Sequence, residues 1–358
     1  MKQMKRLLCI ALAVLMLVGL TACGGTGGET SAPTTAKKTT TTTAADSEDV
    51  TTTTTTEVAG EDKPTSLPIM KTTIENTTTT RTKNIQQGIT APSTTTSTTK
   101  DKSKGKAIKI LGVGNSFTVD SMRRFLFDIL ESAGYTDITL GYLHIGGCSL
   151  DTHYDNLTNN KAAYEYWKNT DDDWSVYANA TAKKAFGAAK WDVVTIQQVS
   201  SDSGRPDTYK KLEAVVDMLR QSEPQAKILW HMTWAYQQNS DHWAFAYYNK
   251  DQMTMYNAIV DTVQSKVLPL SAIKGVIPSG TAVQNLRTSS LGDTLTADGY
   301  HLSDTYGDYT AALTWYCVIT GEKAETVTFR PESIADKWDE IATAVNNAVK
   351  TPYSVTSF

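Results

Sequence analysis

Positive charge is scarce in this sequence. Lys and Arg together number 34 against 38 Asp and Glu, and no basic stripe appears after residue 106. Nucleic-acid binding needs a concentrated positive face, so that class is excluded. Cysteine is scarcer: the four are Cys9, Cys23, Cys148 and Cys317, and no pair has metal-site spacing. His231, Asp241 and His242 do not fall on one helical face, and no third histidine lies near them. No metal is therefore expected. Long apolar runs are absent except for one, Leu7 to Leu20, which is short for a membrane-spanning helix.

That run follows a basic segment containing Lys2, Lys5 and Arg6 and ends at Leu20-Thr21-Ala22-Cys23. Charge, apolar run and small residues in this order make a secretory signal. A Cys at its cleavage point resembles the bacterial lipobox, so residues 1–23 are expected to be a lipoprotein signal peptide and Cys23 the lipidated residue. Such an anchor carries two or more acyl chains, enough for stable attachment. The expected location is the extracellular face of the bacterial cell membrane. Residues 24–106 are dominated by Thr with few apolar side chains. They cannot bury enough apolar surface to offset the entropy of ordering, and read as a disordered linker. Its roughly 80 residues would reach about 260 Å extended or about 50 Å as a coil.

Apolar runs and helix punctuation begin at Ala107. Residues 107–350 are expected to form one α/β domain, with 351–358 as a tail. The runs Ala107 to Val113, Asp137 to Tyr142, Trp191 to Gln197, Ala226 to Trp230 and Gly275 to Ile277 read as strands. Val119 to Ala133, Pro206 to Gln221, Phe245 to Lys266, Ser303 to Ile319 and Pro331 to Lys350 read as helices. Alternation of the two predicts a mostly parallel sheet of about five strands, covered on both faces. Ligands of such sheets bind beyond the carboxyl ends of the strands.

Four polar segments fall there. Gly114-Asn115-Ser116-Phe117 follows the first strand and opens a helix, where backbone N–H groups favour an anion beside a nucleophile. A Ser before a helix is also a common N-cap. Ile145-Gly146-Gly147-Cys148 follows the second strand, and its glycines let a backbone N–H approach a ligand closely. Gln197-Gln198 ends the third. Asp298-Gly299-Tyr300-His301 precedes a late helix, offering a base for a serine and a carboxylate to orient that base. Cys148 and Cys317 read as buried, apolar and unpaired.

In this order the segments resemble the blocks of the SGNH, or GDSL-type, hydrolases, in a bacterial subgroup with G-N-S-F in place of G-D-S. The resemblance spans essentially all of residues 107–350. It implies a three-layer α/β/α, flavodoxin-like fold and ester hydrolysis through an acyl-enzyme, with no metal or cofactor. Ser116 would be the nucleophile, His301 the base and Asp298 its orienter. The oxyanion would be held by Ser116 and Gly147 with a side chain from block three. The usual block three is G-x-N-D, and this chain has no Asn there. Gln197 or Gln198 is the expected substitute, while a stricter register points to Ser201 and Asp202.

His153 and Trp234 are expected to contact substrate. Trp230, Trp234, Tyr236, Trp243, Tyr247 and Tyr248 cluster after the fourth strand, at least half of them as core and the rest as a rim on which sugar rings would stack. The expected activity is that of a monomeric extracellular esterase removing acetyl groups from carbohydrate. A lipase or thioesterase of the same superfamily is the alternative, as is a non-catalytic carbohydrate-binding lipoprotein.

Overall fold

The structure, a computed structural model, describes residues 105–358. The expected signal peptide, Cys23 and the Thr-rich linker lie outside the described residues, save for the last two positions of the linker. Among the described residues no helix is long and apolar enough to cross a membrane.

Seven strands form one sheet in the order β4-β3-β2-β1-β5-β6-β7. β1 (Lys106–Gly114) pairs in parallel with β2 (Tyr135–His144) on one side and β5 (Val193–Ile196) on the other. β6 (Lys227–His231) and β7 (Ile273–Ile277) continue in parallel beyond β5. These five are the strands expected from the apolar runs. Their chain leaves β1 in one direction to β2 and returns to the opposite side at β5, which makes the carboxyl end of β1 the topological switch point. β1 is built for a central place: Ile110, Leu111 and Val113 are fully buried, each stabilising by about 1.5–3 kcal/mol relative to exposure.

Two strands exceed the expected five. β3 (Tyr164–Asn169) and β4 (Trp174–Ala180) form an antiparallel hairpin on the free edge of β2. Their sequences, YEYWKN and WSVYANA, are rich in aromatic residues, which favour strands. β3 buries Tyr164 and Tyr166 on one face, while β4 is mostly exposed.

Several helices are shorter than their apolar periodicity suggests. The first expected helix divides into α1 (Ser116–Met122) and α2 (Leu126–Ser132). α3 (Leu150–Thr158) and α4 (Ala182–Phe186) follow β2 and β4. A 3-10 turn, Pro206–Tyr209, precedes α5 (Leu212–Ser222). The stretch from Phe245 is broken at Asn249 and Lys250, both at positive φ, because Asp251 then caps α6 (Gln252–Thr262) by accepting from Thr254 N–H. α7 (Ser279–Leu286) and α8 (Tyr306–Thr320) are followed by α9 (Glu332–Ala335) and α10 (Trp338–Lys350). α8 packs with α1, α2, α7 and α10, and α3 packs with α5.

The final eight residues are not a separate tail. Thr356 N–H donates to Asn285 Oδ1 at 2.7 Å and Thr281 Oγ1 donates to the Pro352 carbonyl, so the chain end is fastened to α7.

Candidate active site

The site grows from the end of β1. Gly114 leaves the strand where an added Cβ would meet Thr118 Oγ1 at 2.2 Å and the Gln197 side chain at about 3.1 Å, so only glycine lets β1 turn this tightly into α1. Asn115 is the N-cap, its Oδ1 accepting from Phe117 N–H. Ser116 is the first residue of α1 and is partly exposed.

Asp298 and His301 sit in a tight hairpin. Its base is an antiparallel bridge between Thr296 and Leu302, closed by Ala297 N–H donating to the His301 carbonyl and Ser303 N–H to that of Leu295. Asp298 Oδ1 accepts the N–H groups of Tyr300 and His301, at 3.1 and 2.8 Å. This leaves Oδ2 facing His301 Nδ1 at 2.7 Å. Burial pushes the Asp298 carboxyl up, but the hydrogen bonds from the His301 ring and from the backbone N–H groups together hold it below its ordinary value. A charged Asp298 accepts the Nδ1 proton, so the other ring nitrogen is left as a base. That nitrogen, Nε2, is 2.8 Å from Ser116 Oγ. Serine, histidine and aspartate thus form one hydrogen-bonded line across 185 residues of sequence.

The family model for DUF4886, described as a domain of unknown function, matches residues 109–349. The chain belongs to the DUF4886 family. A crystal structure of a DUF4886 protein from Bacteroides uniformis is 39% identical, with a TM-score of 0.68 over 71% of this chain and 98% of that one. Two further similar structures are far more distant. A member of the lipolytic G-D-S-L family from Veillonella parvula is 14% identical, with a TM-score of 0.40 over 60% of this chain and 99% of that one. A family 3 carbohydrate esterase from Clostridium thermocellum is 16% identical, with a TM-score of 0.37 over 60% of this chain and 98% of that one. Likeness of that degree fixes no activity. No curated protein matches the chain.

Behind Ser116 of this DUF4886 domain runs a buried chain of hydrogen bonds that the sequence did not announce. Asn115 Nδ2 donates to the Cys148 carbonyl at 3.2 Å. Asn115 Oδ1 accepts from Gln197 Nε2 at 2.7 Å. Gln197 Oε1 in turn accepts from Thr118 Oγ1 and from His231 Nδ1, at 2.6 and 2.8 Å. Burial lowers the His231 pKa to about 3, so its ring is neutral and Nε2 accepts from Ser279 Oγ at 3.1 Å. Every donor and acceptor is fixed from both ends, because a carbonyl can only accept. The chain ties the Asn115-Ser116 turn to the Gly146-Gly147-Cys148 loop. Gly147 there has φ +63 and no atom within 4 Å of an added Cβ, so its backbone faces open space beside the site.

This network corrects one expectation. Neither glutamine is open to a ligand. Gln197 spends its amide on Asn115, Thr118 and His231. Gln198 accepts from Leu150 and Val199 N–H and donates to Thr208. Of the stricter-register pair, Asp202 is paired with Arg205 at 2.9 Å, and the Ser201 carbonyl accepts from Tyr248 Oη.

The expected substrate contacts are corrected as well. His153 is fully buried, with Nδ1 against Tyr164 Oη at 3.1 Å, and burial lowers its pKa to about 4. Trp234 is also fully buried. It stacks on Phe117 at 4.2 Å and 5°, and its Nε1 donates to the Tyr300 carbonyl at 2.7 Å. It therefore braces the hairpin that bears Asp298 and His301. Cys148 and Cys317 are buried free thiols, pushed up to about 12 by burial.

One acidic residue was missed. Asp120 on α1 accepts from Leu302 N–H at 3.1 Å, directly after His301. Burial raises its pKa to about 6, against the pull of His301 and the Leu302 N–H. Its neighbour Asp308, held by Arg124 at 3.2 Å, is raised further by burial and by Asp120. The signal available in the sequence was the spacing of Ser116 and Asp120, which share one helical face.

Proposed function

We propose that the protein is a serine esterase that removes small acyl groups, acetyl foremost, from carbohydrate. The observation that carries this is the hydrogen-bonded line from Ser116 Oγ through His301 to Asp298. A serine hydroxyl becomes a nucleophile when a positioned base takes its proton, and this arrangement supplies base and orienter in order.

In the proposed reaction His301 Nε2 accepts the Ser116 proton as Oγ attacks the ester carbonyl carbon. The carbonyl oxygen becomes an oxyanion. The backbone N–H groups of Ser116 and Gly147 are its donors, the former lacking an intrahelical acceptor at the start of α1. His301 returns the proton to the alcohol oxygen as the ester C–O bond breaks, leaving acyl-Ser116. Water then loses a proton to His301, attacks the acyl carbon and releases the carboxylic acid, and Ser116 recovers its hydrogen. Asp298 holds the Nδ1 proton and stabilises the imidazolium in both halves.

The substrate reading draws on the aromatic rim beside His301. The place of action draws on the N-terminal segment, read as an export signal with Cys23 as its lipid anchor to the membrane. The decisive test is acetate release by the full chain from an aryl acetate and from acetylated polysaccharides, beside Ser116→Ala. The expected result is release that disappears in the variant. Turnover retained by Ser116→Ala refutes the mechanism.

A further inference from the structure

Of the eight tryptophans only Trp243 is exposed, at 68%. It begins a 3-10 turn, Trp243–Tyr248, whose buried side is formed by Ala244, Phe245 and Tyr248. That anchoring turns Trp243 and Tyr247 outward, Tyr247 with 51% exposure. Two large aromatic rings side by side at the surface form an apolar patch of the kind found at binding sites.

These rings are continuous with the catalytic histidine. Tyr300 lies 4.2 Å from the His301 ring, His242 lies 4.7 Å from Tyr300, and Trp243 stacks on His242 at 5.7 Å and 27°. Tyr247 meets Trp243 edge-on at 5.6 Å. The strip is fixed to the catalytic hairpin by Gln237 N–H donating to the Gly299 carbonyl at 2.8 Å and by the Trp234–Tyr300 bond. On its far side Tyr248 Oη accepts from Gly204 N–H and donates to the Ser201 carbonyl. A molecule lying on the strip would be held in fixed relation to Ser116.

The charges around the strip say what kind of molecule. Arg205 stacks over Tyr247 at 4.4 Å, but its guanidinium is already engaged by Asp202 at 2.9 Å and Asp207 at 3.7 Å. Asp241 is exposed next to His242. His242 Nδ1 accepts from Ala244 N–H, which leaves its proton on Nε2 as a hydrogen-bond donor of a neutral ring. Aromatic faces suit the C–H face of a sugar ring, whereas the surplus of carboxylates repels an acidic polymer.

We propose that the strip Tyr300, His242, Trp243 and Tyr247 is a saccharide subsite for the alcohol side of the ester, selective for neutral glycan chains over polyuronates. The inference rests on the esterase reading of Ser116.

Binding and turnover are tested apart. The Ser116→Ala chain is run in native gels containing deacetylated xylan, glucomannan or polygalacturonate. Retardation by xylan or glucomannan and none by polygalacturonate is expected. Adding Trp243→Ala should weaken the neutral-glycan affinity at least tenfold, Tyr247→Ala about threefold, and Trp243→Phe should restore most of it. Thermal unfolding of each variant verifies the fold. Equal retardation with and without Trp243, retardation by polygalacturonate alone, or no retardation by any glycan would each overturn the proposal; the last would leave the strip as a protein contact. Because Ser116→Ala lacks the nucleophile, acetate release by that variant would topple the esterase reading without touching the gel result.

Discussion

Replacing Asn115 by alanine tests whether the buried hydrogen-bond chain holds the oxyanion loop in place. Three things are lost together. The N-cap of α1 disappears, which costs about 1 kcal/mol. Gln197 Nε2, almost fully buried, loses its acceptor, a penalty of about 1–3 kcal/mol. The Cys148 carbonyl loses its donor and the Gly147 loop its tie to Ser116. The domain should lose about 3 kcal/mol, or about 6–12 °C in Tm for a chain of this size. Loss of one oxyanion donor costs about 10²–10³ in kcat, and a loosened one part of that, so a ten- to hundredfold fall in kcat is expected. The assay is aryl acetate hydrolysis beside thermal unfolding by circular dichroism. Asn115→Asp is the informative partner, since it keeps the acceptor for Phe117 and Gln197 and loses only the donor to Cys148. If Asn115→Ala unfolds earlier yet retains kcat within threefold, the loop is held by something else and the reasoning fails.

Asp298→Asn should lower kcat about a hundred- to thousandfold, with little change in KM. The amide faces the Nδ1 proton with a donor and favours the wrong tautomer, and the half-exposed position keeps the loss below that of a buried aspartate. Kinetics within threefold of wild type would contradict the assigned role. Asp120→Asn should be stabilising at pH 7.5 relative to its effect at pH 4.5. With its pKa raised from 3.8 to about 6, the folded state binds a proton that the unfolded state has shed, so this group's stabilisation fades as pH rises from about 4 to 6. Unfolding midpoints of both proteins across that window check the sign, and kcat at pH 7.5 should fall several-fold as the negative charge near His301 is removed. Trp234→Phe keeps the stack on Phe117 but removes the bond to the Tyr300 carbonyl. Both kcat and Tm should drop; a rise in KM alone would mean that Trp234 touches substrate after all.

The legible parts of the fold were those whose burial is complete. The five parallel strands are short continuous apolar runs, and the strand-end segments holding Ser116 and Gly147 follow from them. The β3–β4 hairpin was missed because it lies at an edge. Aromatic and polar residues alternate there, and β4 is nearly all exposed, so no apolar run announces it. Gln197 and Gln198 were placed at the right strand end but in the wrong role. A sequence gives the position of an amide, whereas its partners, Asn115 and His231 for one and Leu150 and Thr208 for the other, come from four other segments of chain. The same holds for Trp234, whose large ring looked equally suited to a rim or a core. Of the six aromatics after the fourth strand, four are buried and two form the rim.

Ser116, the proposed nucleophile, lies on the first turn after the first strand, and His301, its proposed base, arrives 185 residues later. A chain emerging from the ribosome therefore displays the serine long before anything can activate it. The hairpin bearing His301 is in turn clamped by α1 through Asp120 and precedes α8, which packs against α1, α2 and α10. On the proposed mechanism, competence for chemistry is acquired only when the hairpin bearing Asp298 and His301 has closed over α1. On the proposed mechanism a nascent chain that has not yet reached His301 and α8 is silent, and turnover is a direct readout of a finished domain.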